Sequence, residues 1–274
     1  MADPARAVEN RTFAVSLADG WAVEAVFYPT GTLCLSTQVG CAVGCPFCAS
    51  GGRGLHRNLT VGELWLQVDA ARDRGWQPGR ITLSGIGEPL HNAAVTEAFL
   101  LQARGRGIPV SVTTTGHPLD RLRRLLTLPH NGVMLSLHAG TSATHAWLVP
   151  RGPEFEALWD TLGGLWPDLS RARRRKVGIN LLLLAGVNDG PEEIEALADR
   201  LATHPEATVH LLTPNPAPGS PFRAPEAARV QDIWAGLRAR GVHARRANPW
   251  RQLRRGGCGT LVAGPSGTTA AGPA

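Results

Sequence analysis

The sequence predicts an α/β fold in which a parallel sheet curls into a partial barrel. Short apolar runs at 32–38, 80–84, 109–113, 132–137, 177–184 and 208–212 alternate with amphipathic stretches. Strand–helix alternation of that kind marks a parallel sheet. Right-handed crossovers curl successive parallel strands in one sense, so six units make part of a barrel. With 274 residues and 43% apolar residues, the chain can bury one large α/β core.

The elements follow in chain order. Residues 12–28 read as a hairpin turning at Ala18-Asp-Gly20, so residues 1–30 form an N-terminal extension. Thr60 with Glu63 makes a capping box, and Val61, Leu64, Trp65 and Val68 then repeat at helical spacing. Asp189-Gly190-Pro191 opens another helix with proline in its first turn, burying Ile194, Leu197 and Leu201. Val230, Ile233, Trp234 and Leu237 form the stripe of a late helix that Gly241 ends. The barrel is expected over 31–262. The Gly-, Ala-, Thr-, Pro- and Ser-rich tail, 263–274, is expected to be disordered.

The formal charge is +6, and Lys176 is the only lysine. Two basic clusters stand out. One is Arg171, Arg173, Arg174, Arg175 and Lys176; the other is Arg245, Arg246, Arg251, Arg254 and Arg255. Arginine forks suit phosphate, although arginine is also an ordinary solvated surface cation. Nothing reads as a signal peptide or a membrane span. Five cysteines, three of them clustered, are expected to be reduced thiols in the cytoplasm.

Those three are Cys41, Cys45 and Cys48, a C-x3-C-x2-C triplet. Three thiolates on one loop can hold three corners of a cubane iron–sulfur cluster. Electron-transfer clusters take four cysteines, so here one iron stays open for a substrate, as in catalytic metal sites. A zinc knuckle, with His56 as a fourth ligand, and three plain structural cysteines are the alternatives.

The segment Gly31-Thr-Leu-Cys-Leu-Ser-Thr-Gln-Val-Gly-Cys-Ala-Val-Gly-Cys-Pro-Phe-Cys48 resembles the cluster loop of radical S-adenosylmethionine enzymes. Within them it is similar to the adenosine methylases RlmN and Cfr. Arg57-Asn58-Leu59-Thr60, Gly85-Ile-Gly-Glu-Pro-Leu-His-Asn92, Thr113-Thr-Thr-Gly116, Leu135-Ser-Leu-His-Ala139, Val187-Asn-Asp189, Asn215-Pro-Ala-Pro-Gly219 and Cys258-Gly259 agree in order and type. The resemblance implies a partial (β/α)6 TIM-like barrel of the radical-SAM type. It also implies a [4Fe-4S] cluster, S-adenosylmethionine and an external electron donor such as flavodoxin. In barrels of this kind the chemistry sits at the C-terminal ends of the strands.

By resemblance, Cys41, Cys45 and Cys48 ligate the cluster, and Gly87, Glu88, Thr113, Ser136, His138 and Asn215 contact the cofactor. Cys258 carries the methyl group, Cys34 resolves the adduct, and Glu24 is the base. The expected product is adenine methylated at a ring carbon, C2 foremost, in ribosomal or transfer RNA. Two departures weigh on this. About twenty residues precede Val23, where the family carries an accessory domain that grips RNA. The stretch before Cys258, Asn248-Pro-Trp-Arg-Gln-Leu-Arg-Arg-Gly-Gly, is cationic where the family's is acidic. The alternatives are the same chemistry on a free nucleoside or other small molecule, and a non-catalytic, cluster-stabilised RNA-binding module.

Overall fold

The N-terminal hairpin is part of the main sheet. In the computed structural model, which describes residues 9–215, 220–247 and 259–266, β1 (Arg11–Ser16) pairs antiparallel with β2 (Trp21–Phe27). β2 in turn pairs antiparallel with β3 (Thr32–Leu35). From β3 onward the main sheet is parallel, through β6 (Arg80–Leu83), β7 (Val110–Thr114), β8 (Gly132–Ser136), β9 (Val177–Leu182), β10 (Thr208–Leu212) and β11 (His243–Arg246). The strand order β1-β2-β3-β6-β7-β8-β9-β10-β11 puts β1 and β11 at the two ends of the sheet among the described residues. The short β4 (Gln38–Gly40) and β5 (Leu55–Asn58) form a separate two-stranded ribbon.

Helices cover one face of the parallel strands, and apolar residues alternate along a strand with smaller or polar ones. β9 is the example, with Val177, Ile179 and Leu181 in the core. The covering helices are α1 (Val61–Arg72), α2 (Ala93–Gly105), α3 (Leu119–Thr127), α4 (Ser142–Leu148), α5 (Phe155–Leu165), α6 (Arg171–Arg174), α7 (Pro191–Ala202) and α8 (Ala227–Ala239). Two starts read from the sequence are present. Thr60 and Glu63 form the reciprocal capping box of α1, and Pro191 occupies the first turn of α7.

Two features differ from the sequence reading. β11 is a seventh parallel strand, missed because His-Ala-Arg-Arg lacks apolar alternation; a charged strand at the end of the sheet needs none. Gly264–Pro265, inside the stretch expected to be disordered, pairs with β2 as β12, and Ser266 bonds to Gly20 and Trp21. Composition alone read this as tail because the pairing partner lies more than two hundred residues earlier in the chain. No helix among the described residues is long and apolar enough to cross a membrane.

Candidate active site

The loop carrying the three cysteines joins β4 to β5, and glycine lets the ribbon close beneath it. Gly40 has φ +80°, and a Cβ there would lie 2.0 Å from the Gly54 carbonyl. That carbonyl accepts from Cys41 N at 3.0 Å, which pins the loop's first residue. At its far end Cys48 N donates to the Cys45 carbonyl at 3.1 Å. Val43 packs on Leu148, Val149 and Leu184. Arg151 donates to the Ala42 carbonyl at 2.7 Å, so the loop is braced from outside as well.

Cys41, Cys45 and Cys48 line one cavity at the C-terminal ends of β6 to β10. Burial pushes the Cys41 thiol up to about 11 and Cys45 higher still, and the neighbouring thiols and Glu88 add to both shifts. A bound metal reverses that balance, because a coordinating thiol is deprotonated by the cation. The donor set therefore fits an iron–sulfur cluster. The zinc reading finds no support: His56 stacks on Trp21 at 4.2 Å, and no three ligating side chains among the described residues converge on one ion. A cubane asks for no such convergence, since each cysteine takes a different iron.

Gly87 and Glu88 form the adjoining wall. Gly87 has φ +107°, and a Cβ there would sit 2.7 Å from Gln38 Cβ, so only glycine lets the turn lie against β4. Glu88 N donates to Gln38 Oε1 at 2.7 Å. The Glu88 carboxylate is buried, which raises its pKa; Thr114 Oγ1, Thr115 N and Leu90 N donate to it and oppose that shift. Those donors fix the orientation of the carboxylate in the cavity wall.

His138 holds a left-handed backbone at φ 60°, unusual for a side chain with a Cβ. Three hydrogen bonds impose it. His138 N donates to the Asn180 carbonyl at 3.2 Å, Asn188 Nδ2 donates to the His138 carbonyl at 2.6 Å, and Leu182 N donates to His138 Nδ1 at 3.1 Å. Burial, with His145 nearby, pushes the ring down to about 3. The ring is thus neutral at pH 7, and with Nδ1 accepting, its proton sits on Nε2 as a donor in the cavity wall. Thr113, Ser136 and Asn215 line the same cavity.

Asn180 is the cavity residue that the sequence did not reveal. It lies 3% exposed in the cavity wall, and its Oδ1 has no partner among the described residues. A buried amide oxygen left unpaired is costly, and a polar cofactor is what would satisfy it. Only its register pairing with Ser136 on β8 distinguishes it from a core residue.

Cys34 and Glu24 are not among the residues that line this cavity. Cys34 is 1% exposed on β3, with Sγ 3.2 Å from Ser84 Oγ, which does line the cavity. Glu24 on β2 is buried, not the surface carboxylate of an edge hairpin, and its Oε2 accepts from Val262 N at 2.9 Å. Cys258, with Arg251, Arg254 and Arg255, falls outside the described residues. The chain after it lines the cavity at Gly259 and Thr260, and Ala49 N beside Cys48 donates to the Gly259 carbonyl at 2.9 Å. Ser50 Oγ donates to the Leu261 carbonyl at 2.8 Å.

The class of enzyme that such a cavity would suit is a radical S-adenosylmethionine enzyme, whose cluster needs three thiols on one loop. The family model of the radical SAM superfamily matches residues 35–201, and the chain belongs to that superfamily. Its cofactors are a [4Fe-4S] cluster and S-adenosylmethionine. Within the superfamily it belongs with the RlmN-type RNA methyltransferases. It is 35% identical over 259 residues to a protein of Bordetella avium named as a probable RNA methyltransferase, covering 92% of this chain and 72% of that one. It is 36% identical over 250 residues to the dual-specificity RNA methyltransferase RlmN of Solidesulfovibrio magneticus, covering 85% and 69%. A radical SAM methyltransferase from Sphaerobacter thermophilus superposes with a TM-score of 0.78 at 33% identity, over 92% of this chain and 77% of that one.

Proposed function

We propose that this enzyme methylates a ring carbon of adenine in RNA, C2 foremost, with Cys258 as the methyl carrier. The supporting observation is the convergence of Gly259, next to Cys258, on the cavity that the three cluster cysteines line, with Cys34 Sγ against Ser84 Oγ of its wall. The ring carbon lies between two nitrogens and is too electron-poor to attack a sulfonium methyl directly. The bound cluster and S-adenosylmethionine supply the one-electron chemistry that this requires: sulfonium cleavage, hydrogen abstraction, and uptake of the electron the ring adduct releases.

The chain's own residues do the rest. Gly87, Glu88, His138 and Asn180 hold the cofactor. The Cys258 thiolate attacks a sulfonium methyl, forming an S–CH3 bond and releasing S-adenosylhomocysteine. After hydrogen loss, that carbon bonds to the ring, and Glu24 takes the displaced ring proton. The Cys34 thiolate then attacks the Cys258 sulfur. The S–C bond breaks, its electron pair leaves with carbon, and protonation there completes the methyl group. The resulting disulfide needs a dithiol reductant before the next turnover.

Enzyme reconstituted anaerobically is to be given total RNA and isotopically labelled S-adenosylmethionine, with nucleosides read by mass spectrometry. Label in 2-methyladenosine is the expected result. Label absent from RNA overturns this reading, and label only in added free nucleosides favours a small-molecule substrate. Cys258→Ala is expected to cleave S-adenosylmethionine slowly and transfer nothing; methylated product from that variant sinks the carrier role.

A further inference from the structure

The two basic runs meet on one surface, although the sequence separates them by some seventy residues. Arg171 and Arg175, around α6, share a groove with Arg238, at the end of α8, and with His243 and Arg245 of β11. The groove lies at the end of the sheet where β10 and β11 begin, opposite the reaction cavity. β10 has five residues, which at about 3.3 Å each puts the groove roughly 15 Å from the cavity.

The fold uses some arginines of the first run and leaves others free. Arg173 donates to the Leu126 and Leu128 carbonyls. Arg174 donates to Trp166 and Pro167 and lies 3.6 Å from Glu206, the acidic residue lining the groove. Those two are scaffold. Arg171, Arg175 and Arg245 make no side-chain hydrogen bond or ion pair among the described residues. Arg238 lies over the Trp234 ring at 5.0 Å, which leaves its charge uncompensated. Some arginines elsewhere on the surface are neutralised by a carboxylate, as in Arg124–Glu97, Arg200–Glu156 and Arg240–Asp199, whereas the groove gathers several that are not.

The charge also has a direction. Strand β11 runs from His243 at the groove through Arg245 and Arg246, and Ala247 just after it lines the reaction cavity. Arg246 pairs only with the neutral Gln231 and Trp234 among the described residues. A band of guanidinium groups thus leads along β11, the last strand of the sheet among the described residues, to the cavity mouth. Arginine forks match phosphate oxygens, and a phosphodiester backbone is the polyanion that extends over such a distance.

We propose that this groove and β11 bind the phosphate backbone of the RNA whose target base enters the cavity. The inference rests on the RNA reading above. Its test is the affinity of the full, reconstituted chain for a fluorescently labelled ribosomal RNA transcript across a salt series. The groove pair Arg171→Gln with Arg175→Gln is compared with Arg72→Gln and Arg104→Gln, which remove equal charge from exposed positions on α1 and α2. The groove pair is expected to bind roughly fivefold or more weakly at about 0.1 M salt, with the slope of log affinity on log salt lowered by about 1.4 to 1.8. Replacing the same two residues by lysine should restore the slope, since ammonium groups release counterions as well. If wild-type enzyme methylates RNA but the groove and control pairs behave alike, the groove is overturned and the reading of function stands. If wild-type enzyme neither binds nor methylates RNA, both fall.

Discussion

Cys34 illustrates how little a residue's identity says without its neighbours. On β3 it is a core residue by burial, paired in register with Val26 and Thr82. Its sulfur nevertheless contacts Ser84, and Ser84 faces the cavity. Cys34→Ala is expected to accumulate enzyme covalently joined to RNA, seen as a mass adduct on the protein after nuclease digestion. Clean turnover by that variant would make Cys34 a packing residue only. Asn180 calls for a different experiment. Asn180→Leu keeps the branching of the side chain and removes the unpaired Oδ1, so folding stability should hold, while affinity for S-adenosylmethionine falls about tenfold. Equilibrium dialysis and a thermal melt read the two effects separately. Unchanged affinity would show that the amide does not face the cofactor.

At the scale of elements, much of what the resemblance singled out is scaffold. Arg57 joins Asp19 of the hairpin turn at 2.6 Å to Glu63 of α1 at 2.8 Å, and Asn92 Nδ2 donates to the Thr37 and Leu59 carbonyls. Asn188 satisfies both ends of its amide against His138, Leu182 and Leu184. Glu193 of α7 is the strongest such tie and was not legible in the sequence. Its buried carboxylate accepts from Gly140 N, Thr141 N, Thr141 Oγ1 and Thr144 Oγ1, between 2.6 and 3.2 Å, and so sets the start of α4 just beyond His138. Glu193→Gln turns an acceptor into a donor facing donors, and is expected to cost about 2 kcal/mol in urea unfolding. A loss below about 0.5 kcal/mol would mean the loop holds itself. The helix starts were readable because capping is local chemistry. β11 was not, because its strand character comes from pairing with β10.

For the whole molecule, acid stability follows from histidines buried without charge. His130 is pushed down to about 4 by burial and by Arg173 and Lys176, and His138 to about 3. In the unfolded chain these rings titrate near 6.5. Between that value and the folded ones the unfolded state binds more protons, so stability is complete above about pH 6.5 and falls as pH drops toward about 4. Urea midpoints should decline steadily across that window, and His130→Leu should flatten part of the decline. Midpoints independent of pH there would place both rings in a more solvated setting. Carboxylates held low, such as Asp19 beside Arg57 at about 2, act only at still lower pH.

By itself the sequence determined the alternation of strands and helices, the capped helix starts and the cysteine triplet, because each depends on residues close together in the chain. It also carried the resemblance that pointed to the cofactors. Tertiary structure alone decided which residues share a wall. It set Asn180 beside Ser136, brought Gly259 to Ala49, tied Glu24 to Val262 and joined Arg171 to Arg245 across a groove. The physical reason is that a parallel sheet gathers its strand ends from distant parts of the chain, so a side chain's partners follow from strand order and register, which local composition does not encode.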